Sequence, residues 1–306
     1  MTILFRRYGD ATQIRWGLGI IGLLWIVSPG THSAIFAQDR FFEEWLEPIH
    51  HTHFSESGTP FVHPFNFEPP QIHQDAFFIY KYTDNTLEGS SEYETEAHLD
   101  WALTKRLGFV LGVPLVGVQD ANGVHSVGAG DLEIAPRATL IHHERFILAS
   151  NTMITIPTGD ATRDLGSGEV VISPYVTTWH DLGNWNTLML NVGPSVGLDT
   201  GTTSITYACS LTHTWLGPQL LTGDHDVEHR HEDGHQHHFP PGMTTFYLEM
   251  TGESELGGDK LTFIELMPGV SYVLTEHAEI RLGTLLPISK TQRFDAQVFT
   301  SFTWIY

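Results

Sequence analysis

Along most of this chain the side chains alternate in character with a period of two. In residues 91–103, Tyr93, Thr95, Ala97, Leu99, Trp101 and Leu103 fall on one face, and Glu92, Glu94, Glu96, His98 and Asp100 on the other. Successive side chains of a strand point to opposite sides, so such contrast marks a strand with one apolar and one wet face. The same rhythm recurs. Leu132, Ile134, Ala138 and Leu140 oppose Asp131, Glu133, Arg137 and Thr139, and Leu188, Leu190, Val192 and Val196 oppose Thr187, Asn191, Ser195 and Gly197. Phe246, Leu248 and Met250 oppose Thr245, Glu249, Thr251 and Glu253. Near the end, Phe294, Ala296, Val298, Phe302, Trp304 and Tyr306 oppose Arg293, Asp295, Gln297, Ser301 and Thr303.

With turns placed at Gly, Asn, Asp and charged clusters, strands are expected near 75–83, 91–103, 108–117, 130–141, 145–157, 168–180, 185–198, 203–215, 243–255, 262–274, 278–288 and 294–306. About twelve strands is an even number, as single-chain bacterial barrels require, and several exceed the roughly ten residues needed to cross a membrane at a tilt. Charged residues make up only 17%, and beyond the N-terminus no apolar run approaches the ~18 residues of a spanning helix. The expected fold is therefore all-β, a transmembrane antiparallel up-and-down β-barrel over 75–306. A soluble β-sandwich also alternates, but it would have to hide every apolar face in one core.

Residues 1–37 have the three parts of a secretory signal peptide. Arg6, Arg7 and Arg15 precede the apolar run Trp16–Val27, and Pro29 and Gly30 then lead through small residues to a cleavage point after Ala37 or Ala34. An uncleaved anchor is the rival, and the run is short for a comfortable span. The segment 38–74 is then expected in the periplasm, followed by the barrel in the outer membrane of a Gram-negative bacterium. On this orientation the periplasmic turns near 104–107, 142–144, 181–184 and 275–277 are short. The outward connections near 84–90, 118–129 and 158–167 are mostly longer, as such barrels prefer. Trp101, Trp179, Trp185, Trp215 and Trp304 all fall at periplasmic strand ends, where Trp suits the interface with lipid. The C-terminal strand with Tyr306 would close the barrel and engage the barrel-assembly machinery.

The segments VGAGDLEIAPRATL (127–140), IPTGDATRDLGSGEVVISPYV (156–176) and NVGPSVG (191–197) carry a recurring Gly/Pro pattern, as does the stretch beginning MPGVSYVLTEHAEIRLGTLLPIS at Met267. These, with HPFNFEPPQIHQD (63–75) before the first strand, resemble the outer-membrane family named for the MetA pathway of phenol degradation. The resemblance covers roughly residues 60–306. It implies a barrel concerned with passage of small, often hydrophobic or aromatic solutes. Read from the residues alone, Gly128, Gly130, Gly159, Gly166 and Gly168 mark sharp turns or twists needing positive φ, and Pro157 and Pro174 mark bulges or strand ends.

The largest departure from that pattern is the insert 216–242. It holds His225, His229, His231, His235, His237 and His238 among Asp224, Asp226, Glu228, Glu232 and Asp233. Neutral imidazoles at such spacing suit a divalent transition metal, Zn²⁺, Cu²⁺ or Ni²⁺, bound loosely; a solvated acidic loop without a ligand is the alternative. His50, His51, His53, His63 and His73 lie in the segment before the barrel, on the same expected side. By strand parity the lumen is lined by Glu92, Glu94, Glu96, His98, Asp100, Asp131, Glu133, Arg137, Glu249, Glu253, Glu265, Arg281 and Asp295. That acidic excess favours water and cations, unless Arg137, Arg281 and Arg293 lock the carboxylates into a plug.

A formal net charge of −21 with only 15 Lys and Arg excludes nucleic acid as a partner, because phosphate neutralisation needs clustered basic residues. The single Cys209 rules out an internal disulfide. No required cofactor is expected, and there is no GxSxG, HExxH or P-loop to mark an enzyme. Three readings remain: an outer-membrane channel for small solutes, aromatic or cationic; a metal-binding barrel acting through its His-rich loop; and a lipid hydrolase or acyltransferase with a Ser–His pair. The first is the expected function, with membrane lipid and a small solute as its partners.

Overall fold

The computed structural model describes residues 45–48, 53–55, 57–86, 89–215, 239–257 and 261–305. Its strands are β1 Asp75–Asp84, β2 Ser91–Ala102, β3 Leu107–Gln119, β4 His125–Ala129, β5 Leu132–His143, β6 Phe146–Ile156 and β7 Val171–Gly183, followed by β8 Asn186–Gly197, β9 Thr203–Trp215, β10 Thr244–Glu255, β11 Thr262–Thr275, β12 Ala278–Pro287 and β13 Ala296–Ile305. Apart from β4 and β5, which do not pair with one another, consecutive strands pair antiparallel, and β1 pairs with both β2 and β13, so the sheet closes on itself. The upper part of β3 (Leu115–Gln119) pairs with β4 and its lower part (Leu107–Gly112) with β5. These two are halves of one stave broken at Gly130 and Asp131, and the barrel is a closed one of 12 strands. Closure pairs the staves edge to edge, as a hydrocarbon environment demands, and leaves only the outer edge of the short β4 without a strand partner among the described residues.

Local chemistry accounts for the irregularities. Pro has no N–H for a ladder, and the register beside Pro136, Pro174 and Pro268 is interrupted on one side of the strand in each case. The long connection expected at 118–129 is instead a tight turn, because β3 and β4 continue outward as a hairpin. Asp120 Oδ1 there accepts from the N–H of Asn122 and Val124, both at 2.8 Å. Of the five glycines expected to need positive φ, only Gly168 has it, at 74°. Gly159 and Gly166 are required for space instead, since a Cβ on either would stand 2.9 Å from the Cα of the other and one on Gly166 would stand 2.3 Å from Asp131 Oδ1.

The two faces separate as the alternation predicts. Phe78, Leu99, Leu211, Phe246, Leu248, Leu282 and Phe302 are exposed on the outside, as are Trp101, Trp215 and Trp304 near the strand ends. Such a surface suits acyl chains with Trp at their edge. Trp179 departs from this belt. It is fully buried on the inward face of β7, its ring 5.1 Å from Phe61. Phe294, expected to face outward, is buried as well.

Residues 53–55 and 57–74, expected outside the barrel on its periplasmic side, close its end and pack inside it. A small hairpin with Ser55 N bonded to Thr59 O and Phe61 N to His53 O crosses the end that carries the short turns. Ser57 and Thr59 hydroxyls donate to Asp181 Oδ2 at that rim, at 2.6 and 2.9 Å. The chain then rises into the lumen, turns near Asn66, and descends to enter β1 at Asp75.

Candidate functional site: a plugged acidic lumen

Apolar wall residues hold the rising arm. Phe65 packs edge-on against Tyr247 and Phe299, with ring centroids at 5.0 and 5.1 Å. It occupies the space left by Gly269, where a Cβ would stand 2.6 Å from the Phe65 ring. Burying a side chain of this size stabilises by about 1.5–3 kcal/mol. Beyond that hairpin, polar wall residues supply partners for the backbone of the inserted segment. Arg281 Nη1 donates to the carbonyls of His63 and Pro64, at 3.2 and 3.1 Å. Phe65 N and Asn66 Nδ2 donate to the two oxygens of Glu249, at 2.8 and 2.9 Å.

The descending arm meets Arg137, whose side chain is 2% exposed. Arg137 bonds the carbonyls of Pro69 and Gln71. The same guanidinium lies 3.2 Å from Asp100 on β2 and 3.2 Å from Glu68 on the plug. His98 joins this group through Glu68 and Asp100, at 3.2 and 3.3 Å. Thr139 Oγ1 donates to Pro70 O at 2.8 Å.

Beyond the turn of the plug lies a cavity of about 500 Å³ that extends to Ser173 of β7 and Glu253 of β10. Its lining includes Glu68, Glu94, Glu96, Glu133, Glu253 and Glu265, against Lys81, Arg281 and Arg293 as basic groups. Lys81 Nζ pairs with Glu94 at 2.7 Å and Glu96 at 3.6 Å, and Arg293 bridges Glu253 and Glu265 at 2.8 and 2.9 Å. Aromatic rings of Phe67, Tyr175 and Tyr207 share the wall. The cavity can therefore hold water, small cations and flat apolar groups.

The expected lumen residues divide into three sets. Glu94, Glu96, His98, Glu133, Glu253, Glu265 and Arg281 line the cavity. Asp100, Arg137 and Glu249 face inward beneath it and grip the plug, while Glu92 continues the inward face of β2 toward the rim. Two do not line the lumen. Asp131 accepts from Gly159 N, Ser167 N and Ser167 Oγ, at 2.9, 2.6 and 2.7 Å, and so ties down the 157–170 connection. Asp295 precedes β13, is exposed, and accepts from Asn85 Nδ2 at 2.9 Å. Parity failed there because neither residue lies within a strand. His225, His229, His231, His235, His237, His238 and Tyr306 lie outside the described residues. Lys81 and Tyr175 were missed, although the inward parity of β1 and β7 marks both. Glu68 and Asn66 lie in no strand and carried no such signal.

No family model and no curated protein matches this chain. Among solved structures it is similar to an outer membrane channel from Pseudomonas putida F1, at 13% identity and a TM-score of 0.53, over 80% of this chain and all of that one. It also aligns with the NanC porin (9% identity, TM-score 0.47, 76% of this chain and 100% of that one). The KdgM porin aligns over 76% of this chain and 99% of its own, at 9% identity and a TM-score of 0.45. The first of these likenesses agrees with the closed register in giving the fold, that of an outer-membrane β-barrel.

Proposed function

We propose that this chain is a gated outer-membrane channel for small solutes that carry positive charge or an aromatic ring, with the short-turn end toward the periplasm. The observation that carries the reading is the cavity of about 500 Å³ lined by six carboxylates, three basic groups and several aromatic rings, floored by the inserted segment. An excess of acidic over basic groups in a narrow low-dielectric lumen raises the local cation concentration and disfavours anions. The aromatic wall agrees with the Gly/Pro segments that resemble the family named for the MetA pathway, whose solutes are taken to be hydrophobic or aromatic.

Planar-bilayer recording tests the reading. The intact protein should conduct in short, infrequent openings. A variant lacking residues 53–74 should conduct steadily and be cation-selective, measured as reversal potential across a salt gradient. A folded deletion variant that does not conduct, or that prefers anions, refutes the proposal.

A further inference from the structure

The residues that bracket the inserted segment, none of them in the cavity lining, form a cluster of metal-binding donors. His53 lies where the chain enters the barrel, His73 where it leaves, and Asp75 is the first residue of β1. All three are buried, and one donor atom from each lies within 4.8 Å of the other two. The His53 and His73 rings are parallel to within 4°, with centroids 6.1 Å apart. His63 completes the group. Its ring is 4.6 Å from that of His73, and its Nε2 is 3.3 Å from Asp75 Oδ2.

We propose that His53, His73 and Asp75, with His63 as fourth ligand, bind one transition-metal ion of the Zn²⁺ class, and that this ion locks the plug in place. Two or three imidazoles and one carboxylate are a donor set for Zn²⁺, Ni²⁺ or Co²⁺ rather than for Ca²⁺ or Mg²⁺, which take oxygen shells. Bond lengths of about 2.0–2.1 Å place tetrahedral ligand atoms roughly 3.4 Å apart. The donors of His53, His73 and Asp75 therefore need to close by up to about 1.4 Å, within the reach of side-chain rotation.

Charge points the same way. Asp75 stands directly across the β1–β2 ladder from Asp100, and Glu279 is buried on the inward face of β12. The second His/carboxylate group, Glu68–His98–Asp100, already has Arg137 paired with both of its carboxylates and is no rival for the ion.

An ion held by His53 and His73 joins entry and exit of the inserted loop, so leaving the lumen would require metal release. Binding stands apart from the channel reading; only its effect on opening depends on it. The test uses the full mature chain, folded in detergent, with His225, His229, His231, His235, His237 and His238 all replaced by Gln so that the insert cannot contribute. Co²⁺ should bind at one equivalent with the intense visible absorption of a four-coordinate nitrogen/oxygen site, and Zn²⁺ should displace it. Adding His53→Gln and His73→Gln should weaken binding by more than about 100-fold, beyond the 10–100-fold typical of losing a group behind the ligands. Asp75→Asn offers a second variant should the double one not fold, judged by heat-modifiable migration. Absence of a stoichiometric site in the six-Gln protein, an octahedral all-oxygen spectrum, or binding unchanged by the site substitutions overturns the assignment. In bilayers Zn²⁺ should lengthen closed periods of the six-Gln protein and leave the His53/His73 variant unaffected. The two readings separate cleanly, since a bound ion without conductance would sink the channel and keep the site.

Discussion

Replacing Arg137 by Met should release the plug without unfolding the barrel. The guanidinium is buried and holds Asp100 on the wall, Glu68 on the plug, and the carbonyls of Pro69 and Gln71. Removing one member of such a buried group costs about 3–5 kcal/mol, because the remaining charges keep their desolvation penalty and lose their partner. The twelve-stave ladder does not pass through these contacts, whereas the docked arm does. The loss should therefore fall mainly on the docked state. At about 1.4 kcal/mol per decade, it corresponds to a fall of roughly two to three and a half decades in the ratio of docked to undocked plug. Single-channel recording should show the open fraction rising accordingly, and protease should cut within 53–74 in folded protein where the wild type resists. Adding Glu68→Gln and Asp100→Asn removes the stranded charges and should restore most of the closed time. Folded Arg137→Met protein with wild-type gating would refute the reasoning, as would a triple variant as open as the single one.

Neutralising Glu94, Glu96 and Glu133 to Gln should lower cation selectivity of the plug-deleted barrel, read as a smaller reversal potential, with heat-modifiable folding retained. Gly269→Val should expel Phe65 from its niche, where a Cβ alone would stand 2.6 Å from the ring, and raise the open fraction. Glu169 accepts from the N–H of Thr200 and Asp199, at 3.0 and 3.1 Å, and the Thr200 amide leads in holding its carboxyl below the ordinary value of 4.5. Its tie between the 157–170 and 198–202 connections is thus fully present above that ordinary value and lost as pH falls through the lower folded one. Proteolytic nicking of these connections should rise only in strong acid, and Glu169→Gln should nick at neutral pH. N-terminal sequencing of the membrane-resident protein should begin near Gln38, and an intact Met1 would contradict the cleavable signal.

The strand plan was legible because the two faces of each stave meet solvents of opposite kind. Glu92, Glu94, Glu96, His98 and Asp100 alternate against Thr95, Ala97, Leu99 and Trp101 without exception, and the structure places β2 at Ser91–Ala102. The broken fourth stave was not legible. Gly128 and Gly130 read as turn residues, yet backbone pairing with Leu115–Gln119 carries β4 straight through Gly128. Trp179 misled for a different reason. Trp near a strand end suits either a lipid interface or an apolar contact inside, and position along the strand does not distinguish them. Parity does, since His180 beside it faces the other way and Thr177, two residues before, is inward and buried.

The plug was the largest element that alternation alone did not disclose, and the physical reason lies in what the inward face contains. A lumen filled only with water would be lined by Thr, Ser, Asn and charged groups throughout. Near the short-turn end the inward positions instead carry Phe77 and Ile79 on β1, Ile147 on β6, Met189 on β8, Tyr247 on β10, Met267 on β11 and Phe299 on β13, all buried. Water against that many apolar side chains is costly, at about 25 cal/mol for each Å² left exposed. Some other part of the chain must therefore cover them. Among the described residues the stretch ahead of β1 supplies Phe61, Val62, Phe65 and Phe67, all of them packed in or against that core. Its polar backbone in turn explains why Arg137, Glu249 and Arg281 stand on the wall at that level. In the sequence all three read as lumen residues, with Arg137 and Arg281 able either to face water or to lock carboxylates into a plug. All three bind backbone groups of the plug, and Arg137 also holds Glu68 and Asp100, so the acidic excess available to a permeating cation resides in Glu94, Glu96, Glu133, Glu253 and Glu265 above it.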